Sequence, residues 1–462
     1  MPDILFHYER VNPTSWAYLS SLLMLALYFK FNRIWSVRNI DLFLLIALAP
    51  GLLLVQWSVE NSGLKANAPD IAYLGFLWLL VAQGLLLLRL LIDTAMVRRP
   101  LLEPNLNAAG LLFMGGSLLF FLMANVVTGT PSPGNLSPAR QANVVRAEEG
   151  EEDGQSIIEF DSFSTDGPGF FLIYRQPRIL TQQLIGAGDP SENATPTEID
   201  QEELKIREAT ARVVAILSHV FIVIGLLAVG LWHFENITAG IAATTMYLML
   251  PYTALWTGSV EHALPASLLV WAIVFYRLPL VAGMMIGLAS GTIYYPAFLL
   301  PLWCSFYWSR GLKRFVTGVL LMIAVLVATM AATATSTEQF VAHLQQMFGL
   351  RLPATSNLGG IWQTWNRVWR YPVLAAFVAL SFSFTIWPTQ KNLGTLISCS
   401  AAIMLAVQFW HAYDGGIFIA WFLPLLLLTI FRPNLEDRLS LNKLGRGWWL
   451  ERQLAKSATI PN

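Results

Sequence analysis

Glu261 and His262 stand side by side in the short polar stretch WTGSVEHALP, between two apolar runs. Tyr294 and Tyr295 precede Pro296 at the point where another apolar run is interrupted. His411 and Asp414 share the stretch FWHAYDGG, and Arg351, Trp362, Trp365, Arg367 and Arg370 fall between residues 334 and 370. Carboxylates can take a proton from an attacking hydroxyl, and cationic or hydrogen-bonding side chains can hold a phosphate. In an apolar chain such residues are costly to bury and usually face a cavity or a partner. Each also has a plain alternative, as an interfacial anchor or a solvated loop charge, since Trp and Tyr favour bilayer interfaces whatever the function. No phosphate-cradling loop, HExxH or GxSxG motif is present. The six histidines show no metal-ligand spacing, so no cofactor is required and a divalent metal is neither demanded nor excluded. His219, inside an apolar run, reads as a packing histidine, and Cys304 and Cys399 as small buried hydrophobes.

The elements that would position these residues are membrane helices. Of the 462 residues, 55% are hydrophobic and 13% charged, against about 25% charged in an average soluble domain. That composition excludes a single soluble domain, a disordered chain and a nucleic-acid binder built on basic patches. Net charge is zero, but residues 129–207 carry −8 and the remainder +8. Apolar segments lie near 16–29, 41–57, 71–92, 108–128, 210–232, 239–256, 263–276, 280–291, 295–308, 315–333, 371–387, 393–410 and 415–431. The fold expected is therefore an all-α polytopic membrane protein of about 13 segments. Residues 280–308 are expected to form two shorter helices, because proline disfavours helix at the residue before it. An outside N-terminus puts 17 Lys/Arg in the inner loops and tail and five in the short outer pieces, which sets the C-terminus in the cytoplasm. On that topology Glu60, Asp70, the loop 129–208 and the residues named above share the outer face.

The outer loop opens with the linker TGTPSPGNLSP and continues into an acidic run from Glu148 to Asp153, expected to be solvated and mobile. SIIEFDSF and FFLIYR, separated by Ser164–Gly169, read as a strand pair forming a small hairpin. Thr195-Pro-Thr-Glu198 reads as a helix start that runs without a breaker into the fifth apolar segment. Asn135-Leu-Ser and Asn193-Ala-Thr are sequons on this loop. There is no sign of a cleavable signal peptide.

The stretch 207–310 has an AGIAA helix start ending in Leu-Pro, a short outer loop before ALPASLLVWA, and LVAGMMIGLASGTIYYPAFLLPLW followed at once by basic residues. The later stretch HAYDGGIFIAWFLPLLLLTIFRP places a polar motif before a W-x-L-P run and a terminal Arg-Pro. These features, spread over about residues 207–431, resemble the GT-C superfamily of multi-spanning glycosyltransferases, which use polyprenyl-phosphate sugars. The resemblance implies a GT-C-like helical bundle with 108–128 as its first helix, 129–208 as its first outer loop and 209–431 as its membrane core. An N-terminal three-helix module (1–107) and a basic cytoplasmic tail (432–462) would flank it. The family's outer loop carries the acid that serves as general base or orients the acceptor, and the residues here are Asp161 and Asp166. The family's Lys or Arg in the broken helix is replaced by Thr292-Ile-Tyr-Tyr295.

The expectation is a hexosyltransferase of the plasma (inner) membrane, with its site on the non-cytoplasmic face. Asp161 or Asp166 would act as base. Arg351, His411 and Tyr295 would hold the donor phosphate, and Glu261 and His262 the sugar or acceptor, with Tyr294 and Asp414 lining the same mouth. Its partners would be membrane lipid, a polyprenyl-phosphate sugar donor and a glycan, lipid or protein acceptor, with no nucleic acid. The alternatives are a catalytically inactive scaffold of the same fold and a lipid or solute transporter.

Overall fold

A computed structural model describes residues 12–32, 34–94, 103–131, 133–136, 167–185, 196–333, 337–348, 358–389 and 391–433. Among the described residues the regular structure is entirely helical. In chain order the helices are α1 (Pro13–Tyr28), α2 (Val37–Ile46), α3 (Leu48–Glu60), α4 (Ala68–Asp93), α5 (Ala108–Thr128), α6 (Gly169–Ile185), α7 (Pro196–Trp232) and α8 (Ile237–Met249). They continue with α9 (Pro251–Leu255), α10 (Val260–Val274), α11 (Pro279–Thr292), α12 (Leu300–Phe306), α13 (Leu312–Thr333), α14 (Thr337–Met347), α15 (Arg370–Ile386), α16 (Leu393–Trp410) and α17 (Leu423–Phe431). Short 3-10 turns occupy Tyr295–Leu299, Gly360–Gln363, Arg367–Trp369 and Ile419–Trp421. Asparagine caps several starts: Asn107, Asn236 and Asn392 accept from the backbone N–H three residues on, which satisfies donors that have no partner inside the helix.

Six helical stretches are long and apolar enough to cross a membrane: 37–60, 68–93, 108–128, 201–232, 312–332 and 367–386. Apart from 201–232, these keep most of their surface outside the protein core, as lipid-facing helices do. The others are shorter. At 1.5 Å per residue, the 13, 15 and 14 residues of α8, α10 and α11 reach only about 20–22 Å, against an apolar thickness of about 30 Å. α8, α10, α16 and α17 are also the most buried helices, with α8 from Ala239 onward and all of α17 enclosed. A helix that is apolar all round belongs inside. Because protein rather than lipid surrounds them, these helices do not have to match the bilayer. Their ends can stop short, and irregular backbone between them is tolerated at depth only where protein encloses it.

The run 280–308 does break. α11 ends at Thr292, the backbone at Ile293 is extended, and a 3-10 turn leads into α12. The outer-loop hairpin is corrected. FFLIYR is the first part of α6, and SIIEFDSF lies outside the described residues. Phe170, Tyr174, Pro177 and Thr181 are all buried, a spacing of four, three and four that only a helix places on one face. Reading six residues in isolation hid that stripe. α6 enters over the end of α11, where the Gly167 N–H donates to Thr292 O at 2.6 Å. The expected start of the next helix is found at Pro196. Asn135 is buried and donates to Gly258 O at 2.7 Å, so its sequon is closed to modification.

At the end of the bundle away from α6, four buried ionisable residues tie the first helices to the last. Arg89 on α4 holds Asp41 on α2 through two bonds of 2.6 and 3.0 Å, and Asp93 one turn along at 2.9 Å. Arg432, just past α17, reaches the other oxygen of Asp93 at 2.5 Å. The two positive and two negative charges balance, and every member is paired, as burial requires.

Candidate functional site

The helix breaks converge at the opposite end. Chain leaving α8 makes α9 and the turn to α10; the split between α11 and α12 and the irregular segment 411–422 between α16 and α17 lie against it. His262, on the first turn of α10, is buried. The Tyr252 hydroxyl lies 2.5 Å from its Nδ1, Trp256 stacks on it at 4.8 Å and Phe418 approaches at 4.7 Å. With Nδ1 taking the tyrosine proton, the ring's own proton sits on Nε2, 3.8 Å from a Glu261 carboxylate oxygen. That is beyond hydrogen-bond range, and the Glu261 side chain is a quarter exposed. The Glu261 backbone is fixed, its carbonyl accepting from the Trp421 indole at 2.9 Å.

Phe418 and Trp421, stacked at 4.5 Å, carry the cluster across to His411. The His411 ring is fully buried, 4.8 Å from Phe418, 5.6 Å from Trp421 and 5.1 Å from Tyr295. Tyr294 and Tyr295 lie 4.1 Å apart, and Tyr295 meets Trp410 at 5.4 Å. Arg370, buried at the first position of α15, donates from Nε to Trp410 O at 2.8 Å. The Tyr413 N–H donates to His411 Nδ1 at 3.2 Å. A ring nitrogen that accepts carries no proton, so the His411 proton is on Nε2. That Nε2–H is buried with no acceptor, and the Trp410 indole N–H is in the same position. Two orphaned donors, with a buried guanidinium and two tyrosines nearby, are groups suited to an oxyanion.

The segment bearing His411 is held rigidly. Gln408 accepts from the Gly416 N–H at 3.0 Å, and Gln83 of α4 donates to Gly416 O at 2.6 Å. Gly416 needs its φ of 107°, a conformation that a side chain would strain. Asp414, also at positive φ, packs on the Gly359–Gly360 turn, and the Gly359 N–H donates to Ala412 O at 2.9 Å. Partial burial against this turn raises the Asp414 carboxyl above the usual carboxylate range, opposed by the Gly360 N–H, although the residue is still exposed to solvent.

Of the residues expected from sequence, His262, Tyr294, Tyr295 and His411 are brought into one cluster, with Glu261 at its edge. Asp414 shares the His411 loop but turns toward Gly359. Asp161, Asp166 and Arg351 lie outside the described residues. Tyr252, Trp256, Trp410, Phe418 and Trp421 were not singled out as site residues. Tyr252 carried a local hint, standing ten residues before His262; the others are joined to the histidines only by packing. His219 is a satisfied packing residue, its ring nitrogens 3.0 Å from Thr257 O and 2.9 Å from the Tyr247 hydroxyl. Among the described residues no group of three or more His, Cys, Asp or Glu could hold a metal ion.

Next to the cluster, where the Gly359–Gly360 turn leads into α15, an open groove of about 700 Å³ runs past Trp362, Trp365 and Trp369. Trp362 and Trp365 stand at 87° with centroids 6.2 Å apart, and the Trp365 indole donates to the Tyr73 hydroxyl at 3.2 Å. Compared with known protein families, with curated proteins and with solved structures, the chain matches none.

Proposed function

We propose that the chain is an integral membrane glycosyltransferase that moves a sugar from a polyprenyl-phosphate donor to an acceptor on the non-cytoplasmic face. The observation that carries this reading is the buried pair of orphaned donors, His411 Nε2–H and Trp410 Nε1–H, beside Arg370 and the Tyr294–Tyr295 hydroxyls. Donors that lack an oxygen partner suit the donor phosphate. In the reaction an acceptor hydroxyl attacks the anomeric carbon and the bond from that carbon to the phosphate oxygen breaks. A carboxylate takes the hydroxyl proton, and polyprenyl phosphate leaves. Asp161 or Asp166 is the proposed base. Arg351, His411 and Tyr295 hold the phosphate, and Glu261 and His262 meet the sugar or acceptor. The reading includes thirteen crossings of the plasma membrane, an outside N-terminus and a cytoplasmic C-terminus.

Transfer of labelled sugar from a polyprenyl-phosphate donor by the full chain in proteoliposomes is the direct test. Loss of transfer in His411→Ala and in an Asp161→Asn/Asp166→Asn double variant is expected; unchanged transfer in the double variant removes the named bases. A second reading, an inactive scaffold, is favoured by how tightly the cluster is closed, with His262, Tyr295 and His411 each no more than 1% exposed. It predicts no transfer with any donor, and loss of folding rather than of turnover when His411 is changed.

A further inference from the structure

We infer that Gln83 on α4 is a positioning residue for His411, which gives the N-terminal helices a part in a site built from later ones. An amide is costly to bury in an apolar helix unless it has a partner. Gln83 is 1% exposed and donates from Nε2 to Gly416 O at 2.6 Å. The Gly416 N–H in turn donates at 3.0 Å to Oε1 of Gln408, in the last turn of α16. Gly416 is thus bonded from both sides, by a side chain of α4 and by one of α16. Gly415 passes this hold on to His411, because it lies so close that a Cβ there would collide with Gln408 O and meet His411 Cβ at 3.2 Å. The His411 Nε2–H has no acceptor to hold it. Its direction therefore depends on the backbone beneath it, on the Tyr413 N–H at Nδ1 and on the surrounding rings.

α4 is the firm side of this contact. α3 packs on it so closely that a Cβ at Gly75 would meet Val55 Cγ2 at 2.9 Å. Arg89, further along the same helix, is bound into the ion network. α4 also steadies the other edge of the loop. The Tyr73 hydroxyl accepts from the Trp365 indole at 3.2 Å, and the turn just before Trp365 gives the Gly359 N–H to Ala412 O at 2.9 Å. The loop is therefore gripped at Ala412 and at Gly416, on either side of Tyr413, Asp414 and Gly415. Without the Gln83 donor, the Gly416 carbonyl is left buried and unpaired, and the loop shifts until that oxygen finds a partner. A part for Gln83 in sugar transfer rests on the glycosyl-transfer reading; its hold on His411 does not. A role in stability alone predicts fewer folded molecules, with His411 unchanged in those that remain.

The experiment is solid-state NMR of the full chain in proteoliposomes with isotope-labelled histidine, His411 being assigned from the signal lost in His411→Gln. The readout is exchange of the buried Nε2 proton with water in folded protein. Gln83→Met keeps the length of the side chain and removes the donor; it should speed exchange at His411 about tenfold. Gly415→Ala leaves α4 untouched and should speed it as well, by pushing the loop off His411. His219, bonded to Thr257 O and the Tyr247 hydroxyl, is the internal reference and should not change in either variant. Exchange at His411 within about twofold of the parent in Gln83→Met overturns the proposal. So does an equal rise at His219, which would mean that the whole bundle has loosened. Labelled-sugar transfer separates the two readings. Where the parent chain transfers sugar, Gln83→Met should lower transfer about tenfold, and unchanged transfer overturns the proposal while the enzyme stands. A parent chain that transfers nothing sinks the enzyme, and exchange at His411 then decides the proposal by itself.

Discussion

Replacing Arg89 with alanine removes the centre of the buried ion network. Three charge-assisted bonds disappear, two to Asp41 and one to Asp93. Asp41 and Asp93, 3% and 1% exposed, each lose the guanidinium that they share, while Arg432 still reaches Asp93. Breaking a buried ion pair from one side costs about 3–5 kcal/mol, because the remaining charge has neither water nor a partner. Replacing both partners with apolar residues of similar size is often nearly neutral. Asp41→Leu/Arg89→Met keeps the Arg432–Asp93 pair and removes both ends of the Arg89–Asp41 pair, so it should lie within about 1 kcal/mol of the parent chain. The assay is equilibrium unfolding in mixed micelles of mild detergent and SDS, with all four corners of the double-mutant cycle measured together. An Arg89→Ala loss below about 1 kcal/mol, or a double variant as unstable as that single one, would refute the claim that uncompensated burial sets the cost.

Gly394→Ala should disturb the same network from another side, since a Cβ there collides with the Arg432 guanidinium; a lower unfolding midpoint that vanishes in an Arg432→Ala background is the expected result. Asp414 gives a pH signature of known sign. Its folded carboxyl titrates above the ordinary 3.8, so the folded chain keeps a proton that the unfolded chain has already lost. Its contribution to stability is therefore full below that window and falls as pH rises through the folded value. Asp414→Asn should flatten the slope of the unfolding midpoint on the side above the ordinary carboxylate range, by a small amount because the residue is exposed. Sidedness is checked by maleimide labelling of intact cells: cysteine at exposed Lys65 should react from outside and cysteine at Lys313 should not, and the reverse pattern inverts the molecule.

The apolar runs located the helices well because burial or lipid contact demands unbroken hydrophobicity, and Pro296 marked the split after α11 because proline acts locally. α6 was not legible as a helix. Phe, Ile and Tyr in a short run favour strand, and α6 packs on α7 and on α11, the second of them far along the chain. The site was legible only at its polar members. His262 and His411 stood out from their apolar surroundings, whereas Phe418 and Trp421, which join them, look like any other membrane aromatics. Arg89 could be counted as a basic residue near a helix end, but its partnership with Asp41 and Asp93 needs the fold.

The ion network has a consequence for how the chain is made. When α4 has been synthesised, Arg89 already has both Asp41 and Asp93 within reach. The second guanidinium on Asp93, that of Arg432, comes more than three hundred residues later. Until the final helix is made, the ion pair that fastens the end of the chain to α4 is absent. A chain truncated before Arg432 therefore lacks this clasp, a loss that membrane quality-control proteases could read without sensing the rest of the fold.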